Sequence, residues 1–226
     1  MDSIDSIKSC ACDIINALRN EIVDLDRPEN RGILEKYILP DSSGRTDNLF
    51  VRRRCLTVSL LLNFIMRHNP LSSQISLYEF FDSIGSCTLS KSALSQRRTR
   101  VDAELFVYLN RNFLRRFYTL PEARHPQWHG WHLFACDGSD IALPDTDSPA
   151  EYFGRCLYTT NTGKNDASFP MAKALMINDV LNGITLCGSL WPVATDERRM
   201  FTDIFTELMH IWPFDLSRSI GIFDRG

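Results

Sequence analysis

Nothing in the 226 residues is long and apolar enough to sit in a bilayer. The longest apolar stretch, Cys55 to Met66, is 12 residues and is interrupted by Thr57, Ser59 and Asn63. A membrane span needs roughly 20 residues, so a buried helix is expected here. Met1-Asp2-Ser3-Ile4-Asp5 has no basic segment ahead of an apolar core, and no secretory signal is expected. The seven cysteines, at 10, 12, 55, 87, 136, 156 and 187, are an odd number without a Cys-x-x-Cys pair, which argues against a disulfide framework. Cys10 and Cys12 lack a second ligand pair that would complete a zinc site. Thr162-Gly163-Lys164 lacks the upstream glycine of a P-loop, and no Gly-x-Ser-x-Gly elbow surrounds Ser139. The remainder is ordinary: 44% hydrophobic and 23% charged residues, enough for one large domain or two small ones and too apolar for a disordered tail. A soluble, intracellular protein is expected.

The formal net charge of −3 hides an asymmetry. Residues 1–130 carry 18 Lys+Arg against 15 Asp+Glu, and residues 131–226 carry 7 against 13. The most basic stretch, 45–116, has 12 basic and 5 acidic residues. A basic half joined to an acidic half that holds carboxylates suits an enzyme acting on a polyanion. Solvated arginine-bearing helix faces would give the same count.

The first half reads as helices. Ile4, Ile7, Ile14, Ile15, Leu18, Ile22 and Leu25 recur at helical spacing before Arg27-Pro28. Further helices are expected over 49–66, 77–84, 93–101 and 102–118. The pair 77–84 and 93–101, with Gly85 between, has the shape of a helix-turn-helix. Its second helix carries Lys91, Gln96, Arg97, Arg98 and Arg100, residue types suited to phosphates and base edges in a major groove. An ordinary helical hairpin fits the same pattern.

After residue 130 the period changes. Strands are expected over 132–136, 169–180 and 184–191, the last two joined through Leu181-Asn182-Gly183, a hairpin signal. An amphipathic helix over 198–212 and a last strand over 219–223 follow. Asp137 and Asp224 each come directly after an apolar strand, the first and the fourth. If those strands lie parallel and adjacent, the two carboxylates face one another. Such a pair calls for a hard cation, Mg²⁺ or Mn²⁺, able to activate water or a 3′-hydroxyl. Two turn aspartates would give the same pattern. His125, His129 and His132 have a spacing open to metal ligation but lie in a stretch that reads as an irregular linker.

The strand and spacer Phe134-Ala-Cys-Asp137-Gly138-Ser139-Asp-Ile-Ala-Leu-Pro144 resembles the first catalytic block of insertion-sequence DDE transposases of the IS-four-like group. Phe169-Pro170 and Asn178 to Gly183 resemble the next two strands, and Thr195-Asp196-Glu197-Arg198 the acidic opening of the following helix. Ile222-Phe223-Asp224-Arg225-Gly226 is similar to the second catalytic block, and Lys91 to Arg98 to the stretch ahead of the catalytic domain. The likeness covers roughly residues 75–226.

The resemblance implies an α/β architecture. A helical, basic DNA-binding region, 1–125, would precede an incomplete RNase H-like strand–strand–strand–helix–strand core, 126–226. It implies metal-dependent cleavage and strand transfer at transposon ends, with Asp137 and Asp224 as catalytic residues and Mg²⁺ or Mn²⁺ ligands. Lys91, Gln96, Arg97, Arg98 and Arg100 would bind DNA. The partners implied are the terminal inverted repeats and target DNA, with room for a homodimer and no membrane. The place implied is the bacterial cytoplasm, at the nucleoid. The family's third catalytic residue, a glutamate within Tyr-x2-Arg-x3-Glu-x6-Lys, is absent from residues 1–226. The chain alone is therefore expected to transpose poorly or not at all. A non-catalytic DNA-binding remnant or inhibitor of an intact transposase, and an unrelated Mg²⁺ nuclease on the same fold, are the alternatives.

Overall fold

The computed structural model describes residues 2–40, 43–46, 56–67, 72–86, 89–119, 125–159 and 166–223. It divides in the last turn of a long helix into two compact units, Met1–Phe117 and Tyr118–Gly226.

The first unit is helical. It contains α1 (Asp2–Asp24), α2 (Arg31–Glu35), α3 (Val58–Met66), α4 (Ser73–Ser83), α5 (Lys91–Arg98) and α6 (Glu104–Tyr118). Short polar side chains set the starts. Thr57 Oγ1 accepts from the Leu60 amide at 3.3 Å, Ser90 Oγ from Ala93 at 3.2 Å and Asp102 Oδ1 from Glu104 at 3.0 Å. The core gathers on α3, whose Val58, Leu61 and Leu62 are fully buried against Leu77, Phe81, Leu94 and Leu105. Each such side chain contributes about 1.5–3 kcal/mol relative to exposure. Ser59 is buried among them and satisfied by Asp26, which accepts from its amide and hydroxyl. The helix expected over 49–66 begins at Val58, and residues 49–55 lie outside the described residues. The one expected over 93–101 stops at Arg98, because Val101 turns outward into a β-bridge with Ile38.

The second unit is a mixed sheet with two helices: β1 (His132–Ala142), α7 (Asp147–Phe153), β2 (Arg155–Thr159), β3 (Asp166–Asp179), β4 (Ile184–Pro192), α8 (Glu197–Ile211) and β5 (Ser219–Phe223). The long β3 is its hub. Residues 171–179 pair antiparallel with β1, residues 172–179 also pair with β4, and residues 166–170 pair with β2. β5 joins the free edge of β1 and runs parallel to it, from His132↔Ser219 to Cys136↔Phe223. The expected order of strands and helix is present, with α7 and β2 inserted after β1. Period-two burial places His132, Phe134 and Cys136 inward, on the face that α8 covers with Met200, Ile204 and Leu208. Among the described residues no helix is long and apolar enough to cross a membrane.

Two polar anchors hold the sheet ends. Asp179, 2% exposed, accepts from Tyr118 Oη at 2.7 Å and from the amide and side chain of Asn182 at 3.1 and 2.7 Å. Burial, then the Asp179 charge, pushes the Tyr118 hydroxyl far above its ordinary pKa, so it stays a donor. The carboxylate closes the β3–β4 turn, where Gly183 takes φ +64. At the start of β1, His132 stacks on Phe214 at 3.5 Å, and Trp212 donates to Ser219 Oγ at 2.9 Å.

Gly221 faces the Phe134 ring closely, and a Cβ there would stand 2.8 Å from its Cζ. Phe134 is buried beside Trp212, ring centroids 5.6 Å apart, and has little room to yield. Gly221→Ala is expected to lower stability by about 1–3 kcal/mol. All four tryptophans lie beyond residue 118, so their fluorescence in a denaturant titration reports on this unit alone. An unchanged midpoint would refute the pairing of β5 with β1.

Candidate functional site

β1 does not end at Asp137, as the Asp-Gly pair suggests, but runs on to Ala142 with Asp137 in its interior. β3 supplies the reason, since it stays paired with β1 through Ala142↔Met171. β5 is described only as far as Phe223, which stands opposite Cys136. The last described pair of the parallel ladder therefore joins the residues that precede Asp137 and Asp224 in sequence. Asp224 itself lies outside the described residues. Asp137 is exposed, and among the described residues it has no hydrogen-bond or ion-pair partner. Alternation points it to the face opposite α8.

On the α8 face a groove of about 780 Å³ is lined by Cys136, Gly138, Lys173, Leu175, Phe223 and the first turns of α8. A smaller recess of about 160 Å³ continues along Ser139 and Asp140. Asp196 caps α8, its carboxylate accepting from the amides of Arg198 at 2.9 Å and Arg199 at 3.3 Å. Glu197 is thereby held over β1, and a Cβ on Gly138 would stand 3.4 Å from its Oε1. Lys173, the cross-strand partner of Asp140, has its Nζ 3.7 Å from the same oxygen. Sequence reading left Lys173 out and gave Glu197 no role. The one available signal was the Asp196 cap, which places the following residue at a helix start facing the sheet.

The thiols beneath are inert. Burial, then the Asp137 and Glu197 charges, push Cys136 up to about 11. Burial, then the Glu207 and Cys136 charges, push Cys187 up to about 12. Among the described residues no three His, Cys, Asp or Glu side chains are grouped so as to hold a metal ion. Asp137 offers one hard oxygen ligand of the kind Mg²⁺ or Mn²⁺ prefers, which fits the chemistry of such an ion without completing a site. The histidines do not converge on a ligand position. His125 and His132 are buried in the aromatic cluster around Phe214, while His129 sits at φ +49 in the tight Trp128–Trp131 turn.

In the helical unit, α5 follows α4 across a connection begun by Gly85 at φ +61. Leu94 turns inward, whereas Lys91, Gln96 and Arg98 are exposed and without side-chain partners among the described residues. Arg97 is half-buried. Arg100 is placed differently. Its guanidinium donates to the carbonyls of Leu39 at 2.7 Å and Arg45 at 2.8 Å, tying the segment after α2 to the end of α5.

Fold and site together define an α/β protein that combines a helical unit with a mixed sheet carrying a solvated aspartate beside a polar groove. In sequence the chain is similar to the Escherichia coli (strain K12) protein named "Putative transposase InsZ", 26% identical over 179 residues that cover 77% of this chain and 56% of that protein. The chain thus spans little more than half the length of the relative it matches. No protein-family model and no solved structure matches it.

Arg100→Ala is expected to cost about 1–2 kcal/mol through its two carbonyl bonds, read by far-UV circular dichroism in urea. Arg98→Ala should stay within about 0.5 kcal/mol. Equal midpoints for the two variants would show that the Arg100 clamp is weak in solution. The thiols set a pH limit. The folded chain keeps two protons that the unfolded chain releases from about pH 9 upward. Raised folded-state pKa values stabilise below pH 9, and that stability is lost as pH rises towards 11 and 12. The tryptophan-monitored midpoint should fall over this window, and less so in a Cys136→Ala/Cys187→Ala chain. An equal fall in both would assign the loss to other groups.

Proposed function

We propose that this chain acts on DNA as a DDE transposase, with an RNase H-like sheet behind a helical DNA-binding region. The observation that carries the reading is the parallel β1–β5 ladder, whose last described pair precedes Asp137 and Asp224. Similarity to a protein named as a transposase supports it independently. Asp137 and Asp224 would hold Mg²⁺ or Mn²⁺, which when bound supplies an activated oxygen nucleophile and neutralises the leaving 3′-oxygen. Its exposure leaves the Asp137 carboxylate accessible to a cation from solvent. Lys91, Gln96, Arg97 and Arg98 would grip terminal-repeat or target duplex from α5, with Lys and Arg setting affinity and Gln reading a base edge. Arg100 serves that surface by fixing the end of α5 rather than by reaching for phosphate.

A second reading is that the chain occupies transposon-end DNA without cutting it, and the exposed Lys91, Gln96 and Arg98 of α5 support it.

Both readings require DNA binding, and charge reversal tests it. Arg97→Glu/Arg98→Glu should weaken binding to a labelled duplex at least tenfold. It should reduce the slope of log affinity against log salt by about two. Asp137→Asn should leave both unchanged while abolishing any Mg²⁺-dependent nicking. Unaltered affinity and slope in the double reversal would overturn the α5 assignment. Nicking that survives Asp137→Asn would overturn the catalytic one.

A further inference from the structure

The groove beside β1 contains two cations that the packing of the sheet does not account for. Lys173 stands on the central strand and lines the groove with a side chain only 26% exposed, a placement in which the stem is covered while the ammonium reaches out. Its one ion pair among the described residues reaches Glu197 at 3.7 Å, beyond hydrogen-bond distance, and the Glu197 side chain is 55% exposed, so the pair adds little to stability. Arg198 lines the same groove, and its guanidinium has no partner among the described residues. Asp196 is committed to the α8 cap, leaving Glu197 and the cross-strand Asp140 as the acids near Lys173 among the described residues. Gly138 leaves open the floor between them, where a Cβ would come into contact with Glu197.

We infer that Lys173 and Arg198 grip a backbone phosphate of bound DNA in the groove on the α8 face of β1, and that Glu197 occupies the phosphate position until DNA arrives. The inference rests on the DNA-acting reading above and deepens it. A carboxylate on a flexible stem is a replaceable substitute for a phosphate oxygen. It keeps the ammonium extended into the groove and restrains indiscriminate polyanion binding. The location is chemically apt, because the groove lies beside the last described pair of the parallel ladder, Cys136↔Phe223, and carboxyl ends of parallel strands are where ligands collect. Lys173 is thus a DNA-gripping residue on the α8 face of the sheet whose opposite face carries Asp137.

The test uses the full 226-residue chain, a labelled duplex and fluorescence anisotropy over a salt series. Lys173→Gln should lower affinity several-fold and reduce the slope of log affinity against log salt by about one, whereas Lys173→Arg should retain both. Glu197→Gln should raise affinity by releasing Lys173. A Lys173→Gln chain that matches the unaltered protein in affinity and slope, while Arg97→Glu/Arg98→Glu is weakened, overturns the groove assignment and leaves the DNA-acting reading intact. Failure of the unaltered chain to bind duplex overturns both. Should Lys173→Gln unfold by tryptophan fluorescence, Glu197→Gln decides alone, and unchanged or reduced affinity overturns the inference.

Discussion

The parallel contact between β1 and β5 is the constraint on which the candidate site depends. β5 is five residues long and pairs only with β1 among the described strands, so its own ladder is a weak hold. Side chains supply what the ladder lacks. The Phe134 ring lies against the bare Cα of Gly221, Trp212 packs on Phe134 from the end of α8, and the same indole donates to Ser219 at the start of β5. The segment leaving α8 is therefore pinned at both ends before β5 begins, and the register follows from those pins. A one-residue slip would turn Phe223 away from the groove and bring Gly221 off the ring.

Two aspartates of the same sheet show how location decides what a carboxylate can do. Asp179 is buried and surrounded by three donors, and its charge is consumed in closing a turn and holding Tyr118. Removing a donor would strand a buried charge, which makes Asp179 a structural element. Asp137, on the neighbouring strand, is exposed and unpartnered among the described residues. Nothing in the fold needs that charge, and an oxygen ligand free to bind is the property a metal or a substrate requires.

Much of the architecture could be read from the residues. Strand runs at 132–136, 169–180 and 184–191, the amphipathic helix after Asp196 and the last strand at 219–223 carry clear period signals, and each is present. β2 and α7 were illegible because each is short. Arg155–Thr159 becomes a strand only by pairing with the start of β3, and seven residues from Asp147 hold too few turns for a period to show. Asp-Gly misled at residue 137, since local turn preference lost to continuous pairing with β3. At the site, Asp137 was legible as a carboxylate at an apolar run. Lys173 was not, because an isolated lysine in a strand says nothing about the helix start that packs above it.

The charge asymmetry acquires a different meaning once the side chains are placed. A count of basic residues in 45–116 treats every arginine as available, yet Arg100 is spent on two carbonyls and Arg116 on Glu21. What α5 presents without a described partner is Lys91 and Arg98, a far smaller positive surface than composition suggests. Phosphate contacts, however, scale with cations that can release counterions, not with the total in the chain. A protein with net charge −3 therefore has reason to use few cations in fixed positions rather than a diffuse basic field. Under that constraint Lys173 and Arg198 gain weight, being cations at the groove of a unit whose formal charge is strongly negative. On the proposed DNA-binding reading, the acidic half need not repel a duplex where its carboxylates face a cation, as Glu197 faces Lys173.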